Sequence, residues 1–210
     1  MLNTLLWAVA IPLVTVVGAV LAQVSWLLWI GAGIGLIAGA AAAIVAGGVW
    51  HRAGAATLAA VATFALGLFS GPTLYEAYAK RYGEKVDALV ADTGNRVNAK
   101  GTELDVCRVV DTSGEVQDLS NQQNCHGQFK PKQHIILFKD PLGAFKPWAE
   151  ATDDRGVDAV SLSATGGLLV VTTSTLFYAG MRRRSSQEMD AKKLRKYGPP
   201  RRSAESSGAG

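Results

Sequence analysis

MLNTLLWAVAIPLVTVVGAVLAQVSWLLWIGAGIGLIAGAAAAIVAGGVWHRAGAATLAAVATFALGLFSGPTLY, residues 1–75, carries one full charge, that of Arg52. A soluble domain of this size has no core able to hide so long an apolar run, whereas about 20 apolar residues cross a hydrocarbon layer about 30 Å thick. The run therefore divides into about three spans. Gln23 and Ser25, followed by Trp26 and Trp29, mark an interfacial turn, because indoles sit well at headgroup depth. His51-Arg52 is the next break. Gly71-Pro72 ends the third span, since proline removes a donor and disfavours helix in the residue before it. The expected spans are 2–22, 26–50 and 53–71, and a fourth covers 157–181. Val20-Leu21-Ala22 gives the first span a small-residue end of the kind seen in secretory signals. Its basic leader is missing, however, and Pro12 fits an ordinary kinked span.

Orientation follows from the cations, which stay on the cytoplasmic side when they flank a span. Arg182, Arg183 and Arg184 form the strongest such cluster, and Arg52 is the only charge in the short loops. Together they place both termini in the cytoplasm of a multi-pass cell-membrane protein and residues 72–156 outside it. The net charge of +4 hides a division: residues 72–159 hold 11 Lys and Arg against 14 Asp and Glu, while residues 181–210 hold 9 against 3. The basic excess thus lies in a short tail beside a span, which argues against a nucleic-acid partner. That tail, 182–210, has too few apolar residues to fold alone, so a disordered cytoplasmic segment is expected, resting on anionic lipid or serving only as a topology anchor.

Gly31, Gly35, Gly39, Ala43 and Gly47 recur every four residues and leave a groove along the second span where another backbone can approach. Packing against the first or third span is the plain reading; a seam between copies in a homo-oligomer is the sharper one. Ser161, Thr165, Thr172 and Thr175 share one side of the fourth span, where hydroxyls usually bond their own helix. No Asp, Glu, Lys, Arg or His lies inside the expected spans, the fourth being bounded by Asp158 and Arg182, which argues against an ion-coupled carrier or channel.

Beyond Tyr75 the period changes. Residues 75–82 continue as a helical stalk until Gly83, with tyrosines near the headgroups. Strands are expected at 84–92, with Val86, Ala88 and Val90 on one face, and at 103–111, 116–119 and 133–139. Thr112-Ser113-Gly114-Glu115 forms the turn of a hairpin, and Asp140-Pro141-Leu142-Gly143 another turn. Four or five short strands imply a small sheet or partly open barrel of the SH3 or OB kind. The fold class is thus an α-helical membrane protein of about four spans with an inserted small extracytoplasmic β-domain.

Cys107 and Cys125 are the only cysteines, and both fall in the segment placed outside, where a disulfide is favoured. If Thr112 and Glu115 close the hairpin, Cys107 lies opposite Ser120 and the chain can return across one strand to Cys125. The competing reading is a zinc site of Cys107, Cys125, His126 and His134, weakened by the lack of any paired-ligand spacing. Disulfide-bonded cysteines cannot act as nucleophiles, no Gly-x-Ser-x-Gly elbow occurs, and Asp153-Asp154 beside Arg155 reads as solvated charge.

The order of parts, with Gly83-Glu84-Lys85-Val86-Asp87-Ala88, Asn124-Cys125-His126-Gly127-Gln128-Phe129-Lys130-Pro131, Lys139-Asp140-Pro141-Leu142-Gly143 and Tyr178-Ala179-Gly180-Met181-Arg182, resembles uncharacterised multi-pass membrane proteins of high-GC actinomycetes. Those motifs are structural and bring no activity with them. One departure is Lys132, where glycine is commoner in the turn before the 133–139 strand. The functional expectation is a non-enzymatic envelope protein without a cofactor. Its partners are the lipid bilayer and another envelope protein, contacted by the outer domain. The alternative is a small channel or transport accessory subunit built on the glycine ladder.

Overall fold

The computed structural model describes residues 2–97, 101, 103–182, 188 and 195. Arg183, Arg184 and all of the expected tail beyond them except Glu188 and Arg195 lie outside the described residues. Among the described residues, four helices are long and apolar enough to cross a membrane. They are α1 (Leu2–Leu21), α2 (Leu28–Ala43, continued by a π-helical segment Ile44–Val49), α3 (Ala53–Tyr82) and α4 (Ala159–Met181). Over an apolar stretch long enough to span a bilayer, each turns only a minority of its residues inward. In α1 these are Thr4, Ala8, Ile11, Pro12, Thr15, Gly18 and Ala19, spaced as one helical face. The bundle core gathers Ala8 and Ile11 with Ala42, Val45, Ala46, Trp50, Ala59, Leu176 and Ala179. Large apolar side chains such as Leu13, Trp29, Ile37 and Phe64 point outward.

Where lipid tails are as apolar as leucine, helices associate by close contact of small residues, and the glycines making that contact are only partly the expected ones. A Cβ on Gly31 would strike the Ala22 amide and the Gly18 carbonyl of α1, and one on Gly47 would come within 3.1 Å of the Ala56 Cβ on α3. Gly35 touches α1 through its backbone, since a Gly18 Cβ would lie 3.2 Å from the Gly35 nitrogen. A Cβ on Gly35 or Gly39 itself, however, meets nothing within 4 Å. Ala43 is half-buried. The expected intramolecular ladder therefore holds at its two ends and opens in the middle. Gly18, Gly71 and Gly180 share the work, the last seated on Thr4 of α1. Gly31→Leu is accordingly expected to cost about 1 to 3 kcal/mol in thermal unfolding of the detergent-solubilised chain. Gly35→Leu and Gly39→Leu should leave the fold of a single chain unchanged; equal losses from all three would mean the ladder packs as one surface.

Pro72 does not end α3, contrary to the expectation of a span stopping at residue 71. The proline leaves the Leu68 carbonyl without its helical amide donor, and close packing of α3 on α1 at Gly71 and Ala19 holds the backbone helical across it. Gly71 lets α3 close on α1, where a Cβ would stand 2.7 Å from the Ala19 carbonyl oxygen. Bundle and stalk are thus one rod of 30 residues.

The described strands form one antiparallel half-barrel sheet in the order β3-β2-β1-β4-β5. They are β1 (Glu84–Val97), β2 (Glu103–Asp111), β3 (Val116–Ser120), β4 (His134–Lys139) and β5 (Trp148–Glu150). β1 runs five residues further than the alternation suggested, because a register shift between Val90 and Asp92 bends it and lets its second half pair with the start of β2. Ala88, Val90, Cys107, Val109, Leu119, Phe129, Ile135 and Leu137 pack on one face. On β4 the intervening Ile136 and Phe138 turn the other way, onto the end of α3. Two covered faces explain why Ile135-Ile136-Leu137-Phe138 is apolar without alternation. β5, three residues long, carried no periodic signal. Lys132 sits at φ +66°, which gives the glycine preference at that position its physical reason.

The β2–β3 hairpin closes one residue wider than expected, with Asp111 rather than Thr112 opposite Glu115: Cys107 faces Leu119, and Val106 faces Ser120. The cause is Asp111, whose Oδ1 accepts from the Ser113 and Glu115 amides at 2.8 and 2.9 Å, so the loop spans Asp111 to Glu115 with Gly114 at φ +83°. Lys139 on β4 reaches Asp111 at 2.5 Å and Glu115 at 2.8 Å. The Lys139 ammonium first, and the Ser113 hydroxyl next, hold the Asp111 carboxyl well below the usual carboxylate range. A folded-state pKa depressed in this way contributes stability that is fully present above the unfolded value and lost as pH falls through the folded one. The sheet should therefore weaken below about pH 4, read by denaturant midpoint against pH, and Asp111→Asn should flatten that slope.

Candidate functional site at the junction of bundle and sheet

The last turns of α3 place Tyr75, Glu76, Ala79 and Lys80 on one face, and that face meets the sheet. Lys80, 5% exposed, lies 2.8 Å from Glu76 one turn below and 2.8 Å from Glu150 on β5, and donates to the Gly156 carbonyl at 2.6 Å. All three ammonium protons have acceptors, which is what makes burial of the charge tolerable. The carboxylates are held in turn: the Trp148 indole donates to Glu150 at 2.9 Å and the Asp158 amide to Glu76 at 3.3 Å. Asp158 caps α4, accepting from the Val160 and Ser161 amides at 3.1 Å. One buried triad thus clamps α3, β5 and the entry to α4.

Aromatic packing completes the joint. Tyr75 stacks on Phe145 at 5.5 Å and meets Trp148 edge-on at 5.4 Å, and its hydroxyl donates to the Lys146 carbonyl. Tyr78 donates to Asp140 at 2.8 Å. Burial opposes the Asp140 charge, but the Phe145 amide, the Tyr78 hydroxyl and the turn amides outweigh it and hold that carboxyl below the usual range. Tyr75 is therefore a core residue rather than a headgroup anchor.

Two cavities flank α3 at this level. One, of about 470 Å³, runs from Leu68, Phe69 and Pro72 up to Glu150, Asn124 and His126. The other, of about 660 Å³, lies against the segment that enters α4. Within the bundle, Thr165 donates to Thr73 at 3.2 Å, whereas the buried Ser70 and Thr172 hydroxyls have no partner among the described residues. At the far end of the bundle Arg52 donates to the Arg182 carbonyl at 2.6 Å, which brings two of the expected topology arginines together.

Cys107 and Cys125 are joined in a disulfide with Cα atoms 6.1 Å apart, both buried. That removes two donors from the zinc alternative, and among the described residues no three His, Cys, Asp or Glu side chains converge as ligands. Asp153 and Asp154 are exposed as expected of solvated charge, the first paired with Lys85 and the second accepting from the Gly156 amide. Glu76 and Lys80, at helical i,i+4 spacing, were legible as a pair; nothing in the sequence joined them to Glu150.

The molecule is a bundle of four helices of membrane-spanning length fused through one shared helix to a disulfide-linked half-barrel sheet. Compared with protein-family models, curated proteins and solved structures, the chain matches none.

Proposed function

We propose that this is a non-enzymatic integral protein of the cell membrane, with both termini cytoplasmic and its sheet held outside as an interaction module for another envelope protein. The observation that carries this reading is the mount: α3 passes unbroken from bundle to sheet, and the Lys80 triad fixes the sheet against α4 as well. A domain so held presents the edge strand β3, with Val116 exposed, in a constant pose above the bilayer. The Arg52–Arg182 contact at the opposite end supports the assigned orientation. A reporter inserted at Gly114 should read outside and one fused after Arg184 should read cytoplasm; a cytoplasmic reading at Gly114 would sink the assignment. A photo-crosslinker at Val116 in intact cells should give one discrete adduct that the same probe at Ile37 does not. Identical adducts at both positions would speak against a sheet-borne partner.

A second reading, a small channel or transport accessory subunit assembled through the ladder, draws on the open strip at Gly35 and Gly39. Conductance in liposomes, abolished by Gly39→Leu, would favour it over the first.

A further inference from the structure

At 30 residues α3 is about 45 Å long, close to the thickness of a bilayer with both headgroup layers. With Arg52 at one surface, Leu74 and Ala77 fall near the far edge of the hydrocarbon and Arg81 in the headgroup layer beyond. There α3 and the chain entering α4 bound the cavity of about 660 Å³, floored by Leu74, Ala77 and Val157 and rimmed by Tyr82, Arg81 and Arg155. Of the neighbouring carboxylates, Glu76 and Glu150 are committed to Lys80, Asp153 to Lys85, Asp140 to Tyr78, and Asp154 and Asp158 to backbone amides, while the exposed Glu84 pairs with neither Arg81 nor Arg155 among the described residues. Arg155 lies over the Phe138 ring at 5.6 Å, and neither it nor Arg81 has an anionic partner among the described residues. Two uncompensated guanidiniums on the side of a membrane protein opposite its arginine-flanked end run against the usual charge bias. They also match what a phosphodiester needs, since the guanidinium fork binds its oxygens in pairs.

We propose that this cleft holds the headgroup of an anionic phospholipid, its phosphate on Arg81 and Arg155 and an acyl chain descending along Leu74 and Ala77. The inference rests on α3 and α4 being membrane spans but not on which leaflet they face. The test uses the full chain in detergent micelles doped with equal phosphatidylglycerol and phosphatidylcholine, with retained lipid counted by native mass spectrometry. One phosphatidylglycerol per chain should be kept in preference to phosphatidylcholine. Arg81→Gln with Arg155→Gln should lower that retention on the order of tenfold, while Lys130→Gln with Lys132→Gln leaves it unchanged. Both arginines are exposed, and an unchanged melting temperature will show that the variant is folded. Equal retention of the two lipids, equal loss in the lysine pair, or full displacement by millimolar inorganic phosphate would each overturn the lipid site. A chain that stays soluble without detergent would instead overturn the membrane reading beneath it.

Discussion

Lys80→Met is expected to destabilise the folded chain by about 3 to 5 kcal/mol, the usual consequence of removing one member of a buried ion cluster. The methionine fills much the same volume, so the loss is electrostatic: Glu76 and Glu150, with side chains 11% and 18% exposed, would face each other without the intervening cation. Adding Glu76→Gln and Glu150→Gln should recover most of it, because the amide oxygens still accept from the Asp158 amide and the Trp148 indole. Denaturation of the detergent-solubilised protein is the measurement. A single variant within 1 kcal/mol of the parent would mean that water reaches the triad.

Removing the disulfide should cost about 3 kcal/mol on the chain-entropy account. Cys107 sits on the central part of β2, and Cys125 returns to it across the turn Asn121–Gln123, where Ser120 and Gln123 bond reciprocally. Cys107→Ser and Cys125→Ser should therefore weaken the sheet to a similar degree, and the double variant should be no worse than either, since each removes the same bond. Alkylation of the denatured, unreduced protein should modify no thiol. Two labelled thiols per chain would overturn the bridge.

The helices and most strands were legible because absence of charge and period-two alternation are local signals. What was not legible depended on distant groups. Pro72 read as a helix end until the packing of α3 on its neighbours was in place, and the hairpin register turned on which carboxylate capped the turn. The ladder of Gly31, Gly35, Gly39, Ala43 and Gly47 announced close packing, yet could not say that Gly18 and Gly180, which stand outside any repeat, carry contacts while a side chain added at Gly35 or Gly39 would enter open space. The junction was the least readable part, because Glu150 lies seventy residues beyond Lys80 in the chain and only the folded sheet brings it back.

The continuity of α3 also has a mechanical side. Because α3 stays helical through Pro72, a twist applied to the sheet has a continuous hydrogen-bonded path into the bundle. It bears first on the contacts that α3 makes there, Gly71 against Ala19 and Thr73 against Thr165. Anything that turns the sheet thereby shears α3 against α1 and α4 together, and the bundle registers a load that never touched it.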